Sequence, residues 1–177
     1  MYFAGIDPSY NGTGVVVLDH AFKVHVARSV VCPAYDGNQQ QRRQIISTLA
    51  CTWLESLEES PRMVVLEAPH VGPSGRVSIM LGALYGCMLD ALFRRGWPVI
   101  VVQPSEVKKF ATGGGAAKKD EMRLAVFKRW QFEHRSNDIV DAYAMARLAG
   151  TLLGIGSDTS EQAKLADTIR RRLPVPL

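Results

Sequence analysis

The sequence predicts an α/β domain whose five-stranded mixed sheet begins as an antiparallel meander, continues with parallel strands and is flanked by helices. Two observations predict it. The first third of the chain has the pattern of strands separated by turn residues, and the remainder alternates helical patterns with short apolar runs. The length of 177 residues and the apolar content of 47% are typical of a globular domain and not of a disordered chain.

Three strands are predicted near the N-terminus. Residues 2–6 form an apolar run that ends at Asp7, and residues 8–12 are rich in turn formers. Residues 14–18 are mostly β-branched, and residues 23–32 alternate between apolar and polar side chains. Together these segments predict an antiparallel meander.

Helices and two more strands are predicted in the rest of the chain. The apolar runs at residues 63–66 and 98–102 have the length and pattern of central strands that are buried on both faces. Helical patterns cover residues 39–60, 76–95, 104–110, 118–130 and 137–153, and a capping box of Thr159 and Gln162 opens a last polar helix. The helix 76–95 is apolar almost all the way round, so we expect a partner to cover its outer face.

The chain is predicted to have two parts. Residues 1–156 hold the α/β domain, and residues 157–177 form a helical, basic C-terminal tail. Three widely spaced cysteines, Cys32, Cys51 and Cys87, are expected to be buried thiols in a reducing compartment. Neither a targeting segment nor an uninterrupted apolar run of membrane-spanning length is recognised. We therefore expect a cytoplasmic protein of a bacterium or virus, with no membrane contact.

Positive charge is concentrated in the middle of the chain. The formal net charge of +4 is too small to identify a nucleic-acid-binding protein by itself. Residues 61–135, however, carry twelve Lys and Arg against six Asp and Glu. Residues 1–60 carry four against six, and residues 136–177 carry five against five. The middle segment is therefore the candidate surface for a phosphate backbone.

Four carboxylates stand out by their positions. Asp7 and Glu67 end two predicted strands, which places both at one sheet edge if those strands are parallel neighbours. Asp138 and Asp141 are three residues apart in an apolar helix and share one face. Clustered carboxylates repel one another unless a cation offsets them, as hard divalent cations do. The residues alone therefore indicate a metal-dependent phosphoryl-transfer enzyme. The alternatives are that each strand-ending acid is a turn former and that Asp138 is a helix N-terminal charge.

Four segments of the chain resemble the RuvC-type Holliday junction resolvases. They are GIDPSYNGTG at residues 5–14, VLE at 65–67, PSEVKKFATGGGAAKK at 104–119 and DIVDA at 138–142. The motifs fall in the order of the family over about residues 1–150. Four motifs in register are far more specific than any one of them.

The resemblance implies an RNase H-like fold and an endodeoxyribonuclease that resolves four-way (Holliday) DNA junctions by paired hydrolytic nicks. It also implies two Mg²⁺ ions per active site, with Mn²⁺ as a substitute. The catalytic, metal-binding acids of the family fall on Asp7, Glu67, Asp138 and Asp141, and a catalytic basic residue falls on Lys119.

A homodimer and a set of DNA contacts are implied as well. The dimer would form through the helix 76–95, where Gly82 and Gly86 match small residues of the family interface. His70 stands where the family usually has an aromatic wedge residue. No feature of the sequence identifies a recombination helicase as a partner. The residues assigned to DNA binding are His70, Arg76, Lys108, Lys109, Thr112, Gly113, Gly114, Lys118 and Lys119.

Three other functions fit parts of the sequence. An actin-like sugar or acetate kinase also has an N-terminal Asp followed by a Gly-Thr-Gly segment, but it needs two copies of the fold. An RNase H-like nuclease of broader branched-DNA or RNA specificity would need the same acids. A non-catalytic module that binds junction DNA would have no use for all four.

Overall fold

Five strands form a single mixed sheet. In the computed structural model, which describes residues 1–33, 38–70 and 74–172, the strands are β1 (Tyr2–Asp7), β2 (Thr13–Asp19), β3 (Val24–Val30), β4 (Pro61–Glu67) and β5 (Val99–Val102). Their order across the sheet is β3-β2-β1-β4-β5. The pairs β1–β2 and β2–β3 are antiparallel, and the pairs β1–β4 and β4–β5 are parallel. The predicted meander followed by parallel strands is confirmed.

Six helices flank the sheet in the described parts of the chain. They are α1 (Gln39–Glu55), α2 (Gly75–Phe93), α3 (Pro104–Thr112), α4 (Lys119–Trp130), α5 (Asn137–Leu152) and α6 (Ser160–Arg170). α1 ends before the predicted residue 60, because the N–H of Ser56 turns back to the carbonyls of Thr52 and Leu54. The other predicted boundaries of α2–α5 and of the strands differ from the observed ones by one or two residues.

The sheet separates two hydrophobic cores. On one face Phe3 and Val65 pack with residues of α3, α4, α5 and α6. On the other face Ala4 and Leu66 pack with residues of α1 and α2. Successive residues along a strand point to opposite faces of the sheet. Consecutive residues within β1, and likewise within β4, therefore belong to different cores.

Two glycines allow α5 to lie directly on the sheet. A Cβ atom at Gly5 would lie 2.0 Å from the carbonyl oxygen of Ala142, and one at Gly14 would lie 2.2 Å from the carbonyl oxygen of Asp138. Both clashes are with the helix backbone, so no side-chain rotation relieves them. Glycine within a strand is therefore required here for the close approach of another backbone.

α2 leaves much of its apolar surface exposed. Its buried residues are Leu84, Met88 and Leu92, whereas Val77 and Ile79 are 52% and 74% exposed. By length and composition alone, α2 is also apolar enough to cross a membrane. The sequence has no uninterrupted apolar run of this length, and α2 meets the criterion because the criterion tolerates interruptions. The buried stripe nevertheless attaches α2 to the core beside α1.

α6 packs on the same core as α5. Leu165 and Ile169 are buried there, and the N-cap Thr159 accepts the N–H of Gln162, as the capping motif predicts. Residues 173–177 of the predicted tail lie outside the described residues. The division of the chain into a domain and a separate tail stays a prediction.

The three cysteines are free thiols. Cys32 and Cys51 are buried, and Cys87 is half-buried. Burial raises the pKa of the Cys51 thiol to about 11, so this sulfur stays protonated at neutral pH. The prediction of unpaired thiols is confirmed, whereas the prediction that all three are buried is wrong for Cys87, which lies half-exposed on α2.

We expect Gly5→Ala to lower the free energy of unfolding by about 3 kcal/mol, because the added Cβ would overlap the Ala142 carbonyl and force α5 away from the sheet. Urea unfolding followed by circular dichroism measures this change. Gly75→Ala is the matched control, since nothing lies within 4 Å of its Cβ position. A Gly5→Ala variant as stable as the wild type would contradict this account of how α5 docks.

Candidate active site

The pairing of β1 with β4 brings the first two acids together. The two strands are parallel, with Ile6 opposite Leu66, so Asp7 and Glu67 follow at the same edge of the sheet. Asp7 has the same strand parity as Phe3, and Glu67 the same parity as Val65, so both carboxylates lie on the face that α5 covers. The sequence-based expectation that these strands are parallel neighbours is confirmed.

The other two acids lie on the first turns of α5, which packs on this face of the sheet. Gly14 is paired with Asp7 across β1 and β2, and the backbone of Asp138 rests on Gly14. The Oδ2 atom of Asp138 would lie 3.1 Å from a Cβ atom at Gly12. Asp141 follows one turn later on the same helix face. The absence of side chains at the glycines therefore places both carboxylates over the end of β1.

Burial and mutual repulsion make it unfavourable for all these carboxylates to be charged. Burial, followed by the charge of Glu67, raises the pKa of Asp7 well above its ordinary value. A side-chain hydrogen bond joins Asp7 and Glu67 and favours the proton on Asp7. Burial also raises the pKa of Glu67, against the lowering effect of this hydrogen bond. Protonation of Asp7 or binding of a cation would therefore relieve the repulsion within this pair.

The pKa values of the two carboxyl groups on α5 are raised as well. Burial, with the charges of Glu67 and Asp138, raises the pKa of Asp141 to about 7. Burial raises the pKa of Asp138 as well. The electrostatic coupling of Asp141 to Glu67 and Asp138 indicates that the four acids form one cluster, since such coupling falls steeply with distance.

Two lysines face this cluster. The charge of Lys108, on α3, lowers the pKa values of Glu67 and Asp141. The charge of Lys119, the first residue of α4, lowers the pKa values of Asp138 and Asp141. Of the adjacent lysines in the sequence, these are the two that the structure brings to the acids.

The neighbouring lysines have other surroundings. Lys109 lines a cavity of about 300 Å³ together with Gly113 and Lys164 of α6. Lys118 is exposed at the N-cap of α4, where its backbone N–H bonds the Glu121 carboxylate at 2.7 Å. Neither lysine contributes to the pKa shifts of the acids described above.

His70 and Arg76 lie on either side of the segment 71–73, which is outside the described residues. His70 is exposed and close enough to Glu67 for its charge to lower the pKa of that carboxyl. Arg76 is exposed in the first turn of α2, and none of the described contacts joins it to the acids. The structure therefore brings His70, but not Arg76, to the cluster.

The glycine-rich loop after α3 is internally hydrogen-bonded. The N–H of Gly113 donates to the carbonyl of Lys109 at 2.9 Å, and the N–H of Gly114 donates to the hydroxyl of Thr112 at 3.0 Å. Gly113 adopts φ 87°, a backbone conformation that favours glycine. In this conformation the N–H groups of Gly113 and Gly114 are therefore both used within the loop.

The cluster fits divalent cations with oxygen ligands. Its carboxylates are hard donors, and the raised pKa values of Asp7 and Glu67 mark a place where positive charge is favoured. Within the residues that the structure describes, no three Asp, Glu, His or Cys side chains are already arranged to hold one ion. Mg²⁺ is usually held by one or two carboxylates together with waters and substrate phosphates, so this arrangement suits it.

Sequence reasoning identified the four acids but missed the roles of Gly5 and Gly14. The two glycines were noted only as parts of strand segments and of the motif at residues 5–14, although an isolated glycine inside a buried strand is itself a signal of close backbone approach. Their spacing from Asp7 follows the alternation of β1 and its pairing with β2.

Comparison with known proteins identifies the family. A family model described as "Crossover junction endodeoxyribonuclease RuvC" matches residues 3–148. Curated proteins of that name from Pseudarthrobacter chlorophenolicus and Chlorobaculum parvum are 32% and 30% identical to the chain. The first alignment covers 88% of this chain and 83% of the relative, and the second covers 82% and 79%.

Solved structures share the fold. The structure of Thermus thermophilus RuvC matches with a TM-score of 0.71 at 24% identity, over 88% of this chain and 98% of that one. The same protein in complex with a Holliday junction substrate matches with a TM-score of 0.70 at 22% identity, over 87% and 96%. The predicted RNase H-like architecture is confirmed. On the family match and the curated relatives, the chain belongs to the crossover junction endodeoxyribonuclease RuvC family.

Proposed function

We propose that the protein resolves four-way DNA junctions by metal-dependent hydrolytic nicking of two opposed strands. The observation that supports this most directly is the cluster of four carboxylates faced by two lysines, at the sheet edge of a chain that belongs to the RuvC family. The relatives named above are crossover junction endodeoxyribonucleases.

The four acids are the proposed metal ligands. Asp7 and Glu67 would bind from the sheet, and Asp138 and Asp141 would bind from α5, so that the ions lie between a strand end and a helix start. We propose two Mg²⁺ ions, with Mn²⁺ as a substitute, because four carboxylates provide two for each ion. Bound there, the ions would activate the attacking water and offset charge on the scissile phosphate and the leaving oxygen.

The raised pKa values of the acids and the two nearby lysines also bear on the proposed reaction. A cation that binds here competes with protons for the carboxylates, because their raised pKa values favour the protonated forms. Lys119 is proposed as the catalytic cation that stabilises negative charge developing on the phosphate. Lys108, whose charge acts on Glu67 and Asp141, is proposed to contact the flanking backbone.

The basic middle of the chain is the proposed DNA surface. Phosphate contacts from lysine and arginine supply most of the affinity for a DNA backbone and fix its register. His70, at the edge of the cluster, can stack on a base near the cut. The proposed DNA-binding residues are His70, Arg76, Lys108, Lys109, Thr112, Gly113, Gly114, Lys118 and Lys119.

We propose a homodimer that forms through α2, because two opposed strands of a junction require two active sites. The exposed side chains of Val77, Ile79 and Phe93 form the apolar surface that a second copy would cover. No Cβ clash would arise at Gly82 or Gly86, so the surface there is open. The free thiols are consistent with the proposed cytoplasmic location, away from membranes.

We expect wild-type protein with Mg²⁺ to nick a synthetic four-way junction in preference to three-way, flap and linear duplex DNA and to an RNA:DNA hybrid. Asp7→Asn should lower the nicking rate on the order of 10³-fold, because it removes a proposed metal ligand, and leave junction binding intact. Gel-based cleavage and binding assays on the same substrates measure both quantities.

The matched control is Asp167→Asn, which removes an exposed acid of α6 and should leave cleavage unchanged. Unchanged cleavage by Asp7→Asn would refute the metal site. Equal cleavage of all the substrates would indicate a nuclease of broader specificity, and junction binding without cleavage by the wild type would indicate a non-catalytic module.

Asp141→Asn is expected to stabilise the protein in a chelating buffer, and more so at high pH. The folded pKa of about 7 lies above the ordinary value of 3.8, so the stabilisation from this proton is complete below 3.8 and is lost as the pH rises through 7. An uncharged amide avoids the repulsion that remains. The free energy of unfolding should rise by about 1–3 kcal/mol at pH 8 and change little at pH 4.

Urea unfolding at the two pH values, with a chelator present, measures this difference. Adding Mg²⁺ at pH 8 should stabilise the wild type more than the variant, because the variant has lost a proposed ligand. A stabilisation of equal size at both pH values would contradict the raised pKa of Asp141.

The wild-type protein is expected to have the mass of a dimer at micromolar concentration, and Ile79→Asp to have that of a monomer. Ile79 is 74% exposed on α2, so the charge would be tolerated in the monomer but not inside an apolar interface. Light scattering after size exclusion measures the mass. Ile45→Asp, on the exposed face of α1, is the control and should remain a dimer. A wild-type monomer would contradict the proposed assembly.

A further inference from the structure

α6 runs antiparallel to α3 and holds it at both ends. Near the start of α6, Gln162 donates its Nε2 hydrogen to the carbonyl oxygen of Phe110 at 3.0 Å. Just after the end of α6, Arg172 donates to one oxygen of Glu106. The other oxygen of Glu106 accepts the N–H of Gln103 at 2.8 Å and so caps the start of α3. Both ends of α3 are therefore attached to α6.

The bond to Phe110 is a buried one. Gln162 is 3% exposed, and its Oε1 accepts the N–H of Asp158 at 3.0 Å. The Phe110 carbonyl belongs to the last turn of α3, where carbonyls lack helical partners. The N–H of Gly114, which would continue the helix, bonds the Thr112 hydroxyl instead. Gln162 therefore satisfies a helix-end carbonyl through a buried hydrogen bond and a loop N–H through a partly buried one.

Asp158 extends the same contact to α4 and α5. It accepts the indole N–H of Trp130, the last residue of α4, and forms an ion pair with Arg147 of α5 at 3.2 Å. The rings of Trp130 and Phe110 stack with their centroids 5.8 Å apart. The segment 158–162 thus contacts the three helices α3, α4 and α5.

These three helices carry four groups of the candidate site. Lys108 is two residues before Phe110 on α3, Lys119 begins α4, and α5 bears Asp138 and Asp141. We propose that Gln162 is a positioning residue that fixes Lys108 relative to the carboxylates through α3, and that Asp158 fixes Lys119 through α4 in the same way. This inference rests on the proposed function. It concerns residues outside the stretch 3–148 that the family model matches.

The physical reason is the steep dependence of catalysis on geometry. A displacement of about 1 Å at a reacting group can cost on the order of 10²-fold in rate. The hydrogen bonds within α3 fix its shape but not its placement, which depends on its core packing and on the contacts at its ends. Loss of the Gln162 contact should therefore slow the chemical step without removing any group that touches DNA.

The test is a double-mutant cycle on cleavage between Gln162→Met and Lys108→Ala. Met keeps the length and volume of the side chain but lacks both hydrogen bonds. We expect Gln162→Met to lower the single-turnover nicking rate about tenfold and to leave the dissociation constant for the junction, measured with a chelator, within about twofold. In the Lys108→Ala background, Gln162→Met should produce little further loss, because it acts through that lysine.

Two variants keep the test informative. Ile46→Val loosens the opposite core and should lower stability without slowing cleavage. Asp158→Asn keeps an acceptor for Trp130 but loses the charge paired with Arg147, and it should show a smaller loss of rate in the same direction. If Gln162→Met does not fold, Asp158→Asn takes its place in the double-mutant cycle, and Lys119→Ala takes the place of Lys108→Ala.

The outcomes separate the two proposals. If Lys108→Ala cleaves like the wild type, the proposed role of Lys108 is wrong and the positioning role falls with it. If Lys108→Ala is slow but the rate of the double variant falls by the product of the two single reductions, only the positioning role is overturned. It is also overturned if Gln162→Met lowers stability with no change in rate, or weakens binding as much as it slows cleavage.

Discussion

The direct contact of α5 with β1 and β2 determines where the acids lie. Gly5 and Gly14 permit it, since a Cβ atom at either position would overlap the helix backbone. Asp7 lies two residues after Gly5 on the same strand face, and Asp138 is the residue whose backbone rests on Gly14. A single packing interaction therefore sets both the depth of α5 in the core and the distance between acids that come from distant parts of the sequence.

This packing has an electrostatic consequence. Carboxylates brought together in a partly buried site raise one another's pKa values, and the cluster is destabilising when all its members are charged. Lys108 and Lys119 offset part of this repulsion. The remainder is a driving force for binding cations, so the same arrangement that weakens the fold prepares the proposed chemistry.

Much of the fold could be predicted from the sequence because the strands are short, apolar and separated by strong turn signals. The ends of β1 and β4 identified Asp7 and Glu67, and the apolar surroundings of Asp141 identified it as unusual. The glycine-rich loop was less predictable, because the hydroxyl of Thr112 competes for the N–H of Gly114. Such local competition depends on exact backbone geometry, which composition does not specify.

The sequence by itself determined the class of fold, the four acids and the basic character of the middle segment, since these follow from periodicity, residue type and motif order. Only the tertiary structure decided which of the adjacent lysines face the acids: Lys108 and Lys119 do, whereas Lys109 lies beside α6. It also decided that Gln162 touches the end of α3. Neighbouring residues of a helix point in directions about 100° apart, so helix placement, and not sequence spacing, determines which side chains meet.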